Sequence, residues 1–268
     1  MSNAISYLVV LVIGIIGYQI KRMRLTVIIC FLSLSLFGQN NRNQFYYFTD
    51  CLNTPSTTST TDDLLSTASG ISSLVAAFSN SPRANSVGVL AALTGTSATG
   101  RAALTAQSSA LTFGGGEWDF EVRLDSIQAL CDGTESYALL VGFFDTYTAA
   151  NQTDGIYFLY DSIGTSTGSA SSDRWQTVTA SNGFRSFFET STDVSINPVN
   201  LRIAVNADGT SVNFYIDGVS MRTETSTIPI GKTRKCGFGV MIIKSAGLTS
   251  RAVYLDYLEV ICRFNQSR

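Results

Sequence analysis

Histidine is absent from all 268 residues. That absence alone excludes a Ser-His-Asp triad, a Cys-His dyad and a histidine-ligated zinc site. Charge is scarce as well. Charged residues make up 14% of the chain, the net charge is −2, and no basic block occurs. A phosphate-binding footprint needs clustered Lys and Arg, so nucleic acid is not an expected partner. Ser, Thr, Gly and Asn are abundant, and they keep the surface soluble through hydroxyls and amides. The chain is long enough to bury a full core, and one all-β domain of this size is ordinary.

The most informative stretch is Leu201-Arg-Ile-Ala-Val-Asn-Ala-Asp-Gly-Thr-Ser-Val-Asn-Phe-Tyr-Ile-Asp-Gly218. Two alternating apolar runs flank Asp208-Gly209, and the second run ends at Asp217-Gly218. Asp-Gly between alternating hydrophobic residues signals a hairpin, because the turn needs positive φ and Gly supplies it at little cost. The sharpest alternation follows Gly114-Gly115-Gly116. Trp118, Phe120, Val122 and Leu124 face one way, while Glu117, Asp119, Glu121, Arg123 and Asp125 face the other. This pattern predicts a half-buried antiparallel strand.

Further strands are expected at 87–93, 101–105, 137–144, 155–160, 175–179, 184–189, 201–205, 212–216, 237–244 and 252–261. About ten to twelve short strands separated by turn signals read as an antiparallel sandwich or jelly roll. Leu64 to Phe78 reads as a short helix weakened by its Ser and Thr content.

The N-terminus carries two apolar stretches, Ile5 to Ile20 and Leu25 to Phe37, with Lys21, Arg22 and Arg24 between them. Three readings stay open. Met23 is the true start of a secretory signal; or the two stretches form an anchor with a short return span; or both belong to an assembly. Under the first two, the basic cluster stays in the cytoplasm and the sandwich lies across the membrane. The expected organisation is an apolar anchor or signal segment over 1–38, a Ser/Thr-rich spacer with first elements over 39–84, and the sandwich over 85–264.

Cys30 sits in the apolar segment, which leaves Cys51, Cys131, Cys236 and Cys262. Two disulfides with three connectivities are possible in an exported domain. Sandwiches often bring their first and last strands side by side, so Cys51 with Cys262 is the preferred pair, against four buried thiols.

The series Gly115-Gly-Glu-Trp-Asp-Phe-Glu-Val-Arg123, Val141-Gly-Phe-Phe-Asp145, Thr153-Asp-Gly-Ile-Tyr-Phe-Leu-Tyr-Asp161, Val205 to Gly218, and Ile243 to Asp256 resembles concanavalin A-like lectin/glucanase jelly-roll domains. More narrowly it resembles the versions found in phage virion and tail-associated proteins. The resemblance implies an all-β jelly-roll sandwich, but such folds serve lectins, glycosidases, adhesion modules and capsid components alike.

It also implies candidate residues. Glu117-Trp-Asp-Phe-Glu121 is similar to the catalytic strand of jelly-roll β-glucanases. Glu117 would be the nucleophile, Asp119 the helper and Glu121 the acid/base, and a retaining enzyme needs its carboxyls about 5–5.5 Å apart. The other reading of the strand is a solvated outer face. Asp145, Asn151 and Asp154 resemble the metal loop of legume lectins, with oxygens that suit calcium; without calcium no cofactor is expected, and the loop is a turn. Tyr147, Tyr157, Tyr160 and Trp175 are candidates for a sugar-stacking platform, or else core.

The expected function is a non-enzymatic, lectin-like attachment or structural module on a virion or cell surface. Its partners would be glycans, further copies of itself or other virion and surface proteins, and a membrane through residues 5–37. A glycosidase and a purely architectural component are the alternatives.

Overall fold

The computed structural model of the chain describes residues 43–49, 51, 65–69, 89–164 and 172–265. The chain divides into two compact units, Met1–Gln44 with Ser267–Arg268, and Phe45–Gln266; the second carries the sandwich. The apolar stretches expected within 5–37 lie outside the described residues. Among the described residues no helix is long and apolar enough to cross a membrane.

The strands are β1 (Gln44–Thr49), β2 (Leu65–Ser69), β3 (Leu90–Leu93), β4 (Gly100–Leu111), β5 (Gly116–Ile127), β6 (Ser136–Phe144) and β7 (Gly155–Asp161). They continue with β8 (Ser172–Ser181), β9 (Phe184–Asp193), β10 (Val199–Val205), β11 (Val212–Ile216), β12 (Val219–Glu224), β13 (Cys236–Ala246) and β14 (Ala252–Phe264). One sheet runs β1-β14-β5-β10-β11-β12, with β3 also on β14; the other runs β2-β4-β13-β6-β7-β8-β9. The strand pairs given a register are all antiparallel, and the chain crosses repeatedly between sheets, as a jelly roll requires. The stretch expected as a helix from Leu64 begins instead with the strand β2, and the rest of it lies outside the described residues.

Alternation decides what each strand buries. On the first sheet, Trp118, Phe120, Val122 and Leu124 of β5, Leu201 and Ile203 of β10, and Val212 and Phe214 of β11 point inward. They meet Leu139, Val141 and Phe143 of β6, Ile156 and Phe158 of β7, and Phe238 and Val240 of β13. Aromatic rings bridge the sheets. Phe143 lies 5.4 Å from Phe120, and Phe158 lies 5.3 Å from Phe214. Aromatic pairs of this kind, tilted at Phe120–Phe143 and edge-to-face at Phe158–Phe214, add about 0.5–1.5 kcal/mol each beyond the area buried.

The second sheet is apolar on both faces. Ala138, Leu140, Tyr157, Leu159, Val178 and Met241 form a separate buried cluster on the side away from the sandwich core. All nine residues of β6 are buried. This explains why β6 and β7 read in the sequence as nearly unbroken apolar runs.

Two turns set hairpin registers. Asp217-Gly218 (φ 49° and 78°) joins β11 to β12 as a two-residue turn, with Ile216 opposite Val219. Asn182-Gly183 (φ 57° and 81°) does the same between Ser181 and Phe184. Both have the positive φ of a type I′ turn, whose twist matches the strands. Asp208-Gly209 sits within a longer connection, closed by Asn206, whose N–H donates to the Ser211 carbonyl at 3.0 Å.

Candidate functional site

The outward face of the first sheet is polar, and its residues fall into rows across the strands. One row holds Asp119, Ala204, Asn213 and Thr223. The next holds Glu259, Glu121, Arg202 and Tyr215. Arg263 stands opposite Glu117 at the end of β14. Ala204 is the one small side chain amid long ones, so a hollow of about 220 Å³ opens there, lined by Glu117, Asp119, Arg202, Asn206, Asn213 and Arg263.

The polar groups around the hollow are held in place. Arg202 donates from Nε (2.7 Å) and Nη2 (2.6 Å) to the two oxygens of Asp119, a bidentate pair. The same guanidinium lies 5.2 Å over the Tyr215 ring. Asp119 raises the Arg202 pKa further above its usual value. Asn213 accepts from Thr223 Oγ1 at 2.6 Å, which orients its amide. With planar forks and amides fixed, the hollow offers directional donors and acceptors at little ordering cost.

Glu117, Asp119 and Glu121 do share one strand face. Asp119 is engaged by Arg202, and Glu121 accepts from the Tyr257 hydroxyl at 2.7 Å. Burial, and then the Glu121 carboxylate that holds its proton, push the Tyr257 phenol well above its usual range. Glu117 and Glu121 are four residues apart, about 13 Å at Cα on an extended strand.

The sugar-stacking candidates are located elsewhere. Trp175 (1% exposed), Tyr157 and Tyr160 (both 0%) are buried, so none offers a ring face to a ligand. Trp175 and Tyr160 point inward, Trp175 against Phe158 and Tyr160 against Tyr137. Tyr160 also accepts the Cys131 N–H at 3.0 Å. Tyr157 lies in the apolar cluster on the opposite face, where Tyr147 packs half-buried beside it. These positions are core because inward alternation on β7 and β8, and the apolar outer face, leave them nowhere else to go.

The loop compared with a lectin metal site is occupied by side chains of this chain. Asp154 accepts the Asn182 N–H at 2.9 Å and Nη1 of Arg234 at 3.3 Å. Asn151 Oδ1 accepts Nη1 of Arg185 at 2.6 Å. Asp145 accepts the Thr153 N–H at 3.2 Å, and burial, with the Asp154 charge, raises its pKa above the usual value against the backbone N–H groups that lower it. Two guanidiniums thus stand against the oxygens that calcium would need. Among the described residues no group of three or more Cys, Asp or Glu side chains could hold a metal ion.

The preferred disulfide pair is Cys51 with Cys262. The reason for expecting it holds, since β1 and β14 are neighbours. Both side chains are fully buried in the same core cluster.

Sequence reasoning named Glu117, Asp119 and Glu121 but missed Ala204, Arg202, Asn206, Asn213 and Arg263. The signal was present. Extending the alternation through Leu201–Val205 and Val212–Ile216 puts Arg202, Ala204, Asn213 and Tyr215 on the same outward face.

The chain belongs to the SO2946-like C-terminal domain family, whose model matches residues 85–256. No curated protein matches the chain. Several solved structures are similar in fold. They include an endo-1,3-β-glucanase from Streptomyces sioyaensis, with TM-score 0.49 and 10% identity over 82% of this chain and 96% of that one. The potassium-bound carbohydrate recognition domain of Emp46p has TM-score 0.44 and 11% identity over 65% and 82%. The CBM2 module of the evolved Dit of Lactobacillus casei BL23 phage J-1 has TM-score 0.47 and 13% identity over 84% and 99%. At such identities the likeness concerns the fold and carries nothing about activity.

Proposed function

We propose, for this member of the SO2946-like C-terminal domain family, that it is a non-enzymatic glycan-binding module whose binding site is the hollow around Ala204. One observation carries the reading: a pocket-sized depression on an exposed sheet face is ringed by Asp119, Arg202, Asn206 and Asn213, with Glu117 and Arg263 at its rim. Sugars present vicinal hydroxyls that both donate and accept, and planar carboxylate, amide and guanidinium groups match them in pairs. The hollow is shallow, so each site binds modestly and display in many copies supplies avidity. The apolar segment within residues 5–37 supports a role at a virion or cell surface, as an attachment or structural component.

The alternation that aligns Glu117 with Glu121 favours a glycosidase as the second reading. It is weakened because Asp119 and Glu121 are already tied to Arg202 and Tyr257. The experiment uses the full chain on an immobilised panel of neutral, amino and acidic glycans, with product analysis by reducing-end release. The expected result is binding that Asn213→Ala weakens about tenfold, with no sugar released. Binding indifferent to Asn213→Ala refutes the site. Release of reducing ends that Glu117→Gln abolishes would establish the hydrolase instead.

A further inference from the structure

β1 has two different faces. Phe45 and Tyr47 anchor it inward, Phe45 6.1 Å from Trp118 and Tyr47 5.1 Å from Phe238. Tyr46 and Phe48 therefore point outward and remain 57% and 49% exposed. Phe48 stacks on Tyr257 of β14 at 6.4 Å, with the rings 30° apart. Tyr46 lies beside the Glu259 carboxylate of β14. Glu259 stands directly opposite Glu121, and Glu121 directly opposite Arg202, which pairs in turn with Tyr215.

The result is one continuous row across the first sheet: an aromatic edge, two carboxylates, a guanidinium and a tyrosine. Two features of this row cost stability without serving the core. Large apolar rings are left in water, and two like charges face each other across β14 and β5. Both make sense if something lies over the row. Aromatic rings match the apolar faces of sugar rings, and carboxylates flanked by tyrosine hydroxyls accept from sugar hydroxyls.

We infer that this row is a track for a linear, uncharged polysaccharide, with Tyr46 and Phe48 as its stacking platform and the Ala204 hollow at its far end. The inference rests on the glycan-binding reading of that hollow and adds the ligand's length and charge. From β1 to β11 there are four strand spacings, about 19 Å. A disaccharide reaches only one end of such a track, whereas a longer oligosaccharide engages both. The carboxylates of Glu121 and Glu259 at its centre, with Glu117 beside the hollow, repel an anionic chain.

The test is calorimetric titration of the full chain with linear neutral gluco-oligosaccharides, both α- and β-linked, from disaccharide to hexasaccharide. Affinity should rise by about tenfold or more across the series, the worth of one well-made added contact. The Tyr46→Ala, Phe48→Ala double variant should lose that length dependence, binding the hexasaccharide no tighter than the disaccharide. Both residues are exposed, so unchanged thermal unfolding checks that the variant is folded. Length-independent binding by the parent chain, or an unaltered length dependence in the variant, overturns the track and leaves the hollow standing. Tighter binding of an acidic oligosaccharide than of its neutral counterpart overturns the assigned charge. Absence of binding at every length refutes the track and leaves the hollow reading to the wider glycan panel.

Discussion

Trp118 sits between Glu117 and Asp119 and holds the strand that carries the site, so its replacement tests packing and site geometry together. It is 3% exposed and lies 6.0–6.3 Å from the rings of Phe45, Phe113, Phe143 and Phe264. Its indole N–H has no hydrogen-bond partner among the described residues. Trp118→Ala removes the whole ring system and should cost about 3–5 kcal/mol through lost burial and the cavity left behind. For a domain of this size that lowers Tm by roughly 6–20 °C. Trp118→Phe is a different case. The missing atoms leave a small cavity worth about 1 kcal/mol. The variant also removes a buried donor whose unmet hydrogen bond costs about 1–3 kcal/mol. The two effects oppose, so Trp118→Phe should fall within about 1 kcal/mol of the parent chain or exceed it. Urea denaturation followed by far-ultraviolet circular dichroism measures both, since the chain has only two tryptophans and fluorescence would change with the substitution itself. Equal losses for the Phe and Ala variants would show that the indole, and not merely an aromatic ring, is required. A loss below 1 kcal/mol for Trp118→Ala would refute the claim that this residue anchors β5.

Acid should destabilise the fold through two carboxylates. Burial pushes Glu224 upward, but Ser226, Thr225 and Arg222 hold it down to about 2, while the N–H groups of Thr134 and Glu135 hold Asp132 at about 2. Both lie below the unfolded values near 4, so their contribution is present above about pH 4.5 and lost as pH falls toward 2. Glu224→Gln should flatten that limb in a Tm-against-pH series, and an equally steep fall would contradict the assignment. Calcium and a chelator should leave Tm unchanged, because Arg234 and Arg185 already engage Asp154 and Asn151. A rise of several degrees with calcium that Asp154→Asn removes would restore the metal reading. Gly239 has φ 150° and a Cβ there would collide with the Leu104 carbonyl and the Thr105 backbone. Gly239→Ala should therefore cost about 1–3 kcal/mol by thermal or urea unfolding, and a neutral result would show that β13 shifts freely against β4.

Most of the fold was legible because alternation and turn chemistry are local. The inward faces of β5, β10 and β11 follow directly from their apolar positions, and β11 matches its expected bounds, 212–216. β12 was missed because Val219-Ser-Met-Arg-Thr-Glu224 carries little apolar signal and only the preceding Asp217-Gly218 turn points to it. β1 was missed because Phe45 to Phe48 are aromatic without a break, which hides the alternation that sends Tyr46 and Phe48 outward. The burial of Trp175, Tyr157 and Tyr160 was hidden for a related reason. A sequence gives the type of Tyr157 but not that both faces of its sheet are buried. The Asp145–Asp154 loop has metal-like oxygens, yet the guanidiniums that meet them come from 31 and 80 residues beyond Asp154, at Arg185 and Arg234. The hollow itself depends on Ala204 being small between Asp119 and Asn213, which only the register of three strands reveals.

The central claim is that a glycan occupies the hollow floored by Ala204, and the most direct measurement is glycan binding by Ala204→Leu. This variant fills the hollow without replacing a charged or hydrogen-bonding residue. The account predicts that full-length Ala204→Leu unfolds within about 2–4 °C of the parent chain, as for a change of at most about 1 kcal/mol, and that its binding to the glycan panel is lost by tenfold or more. Undiminished binding by a folded Ala204→Leu chain would contradict it.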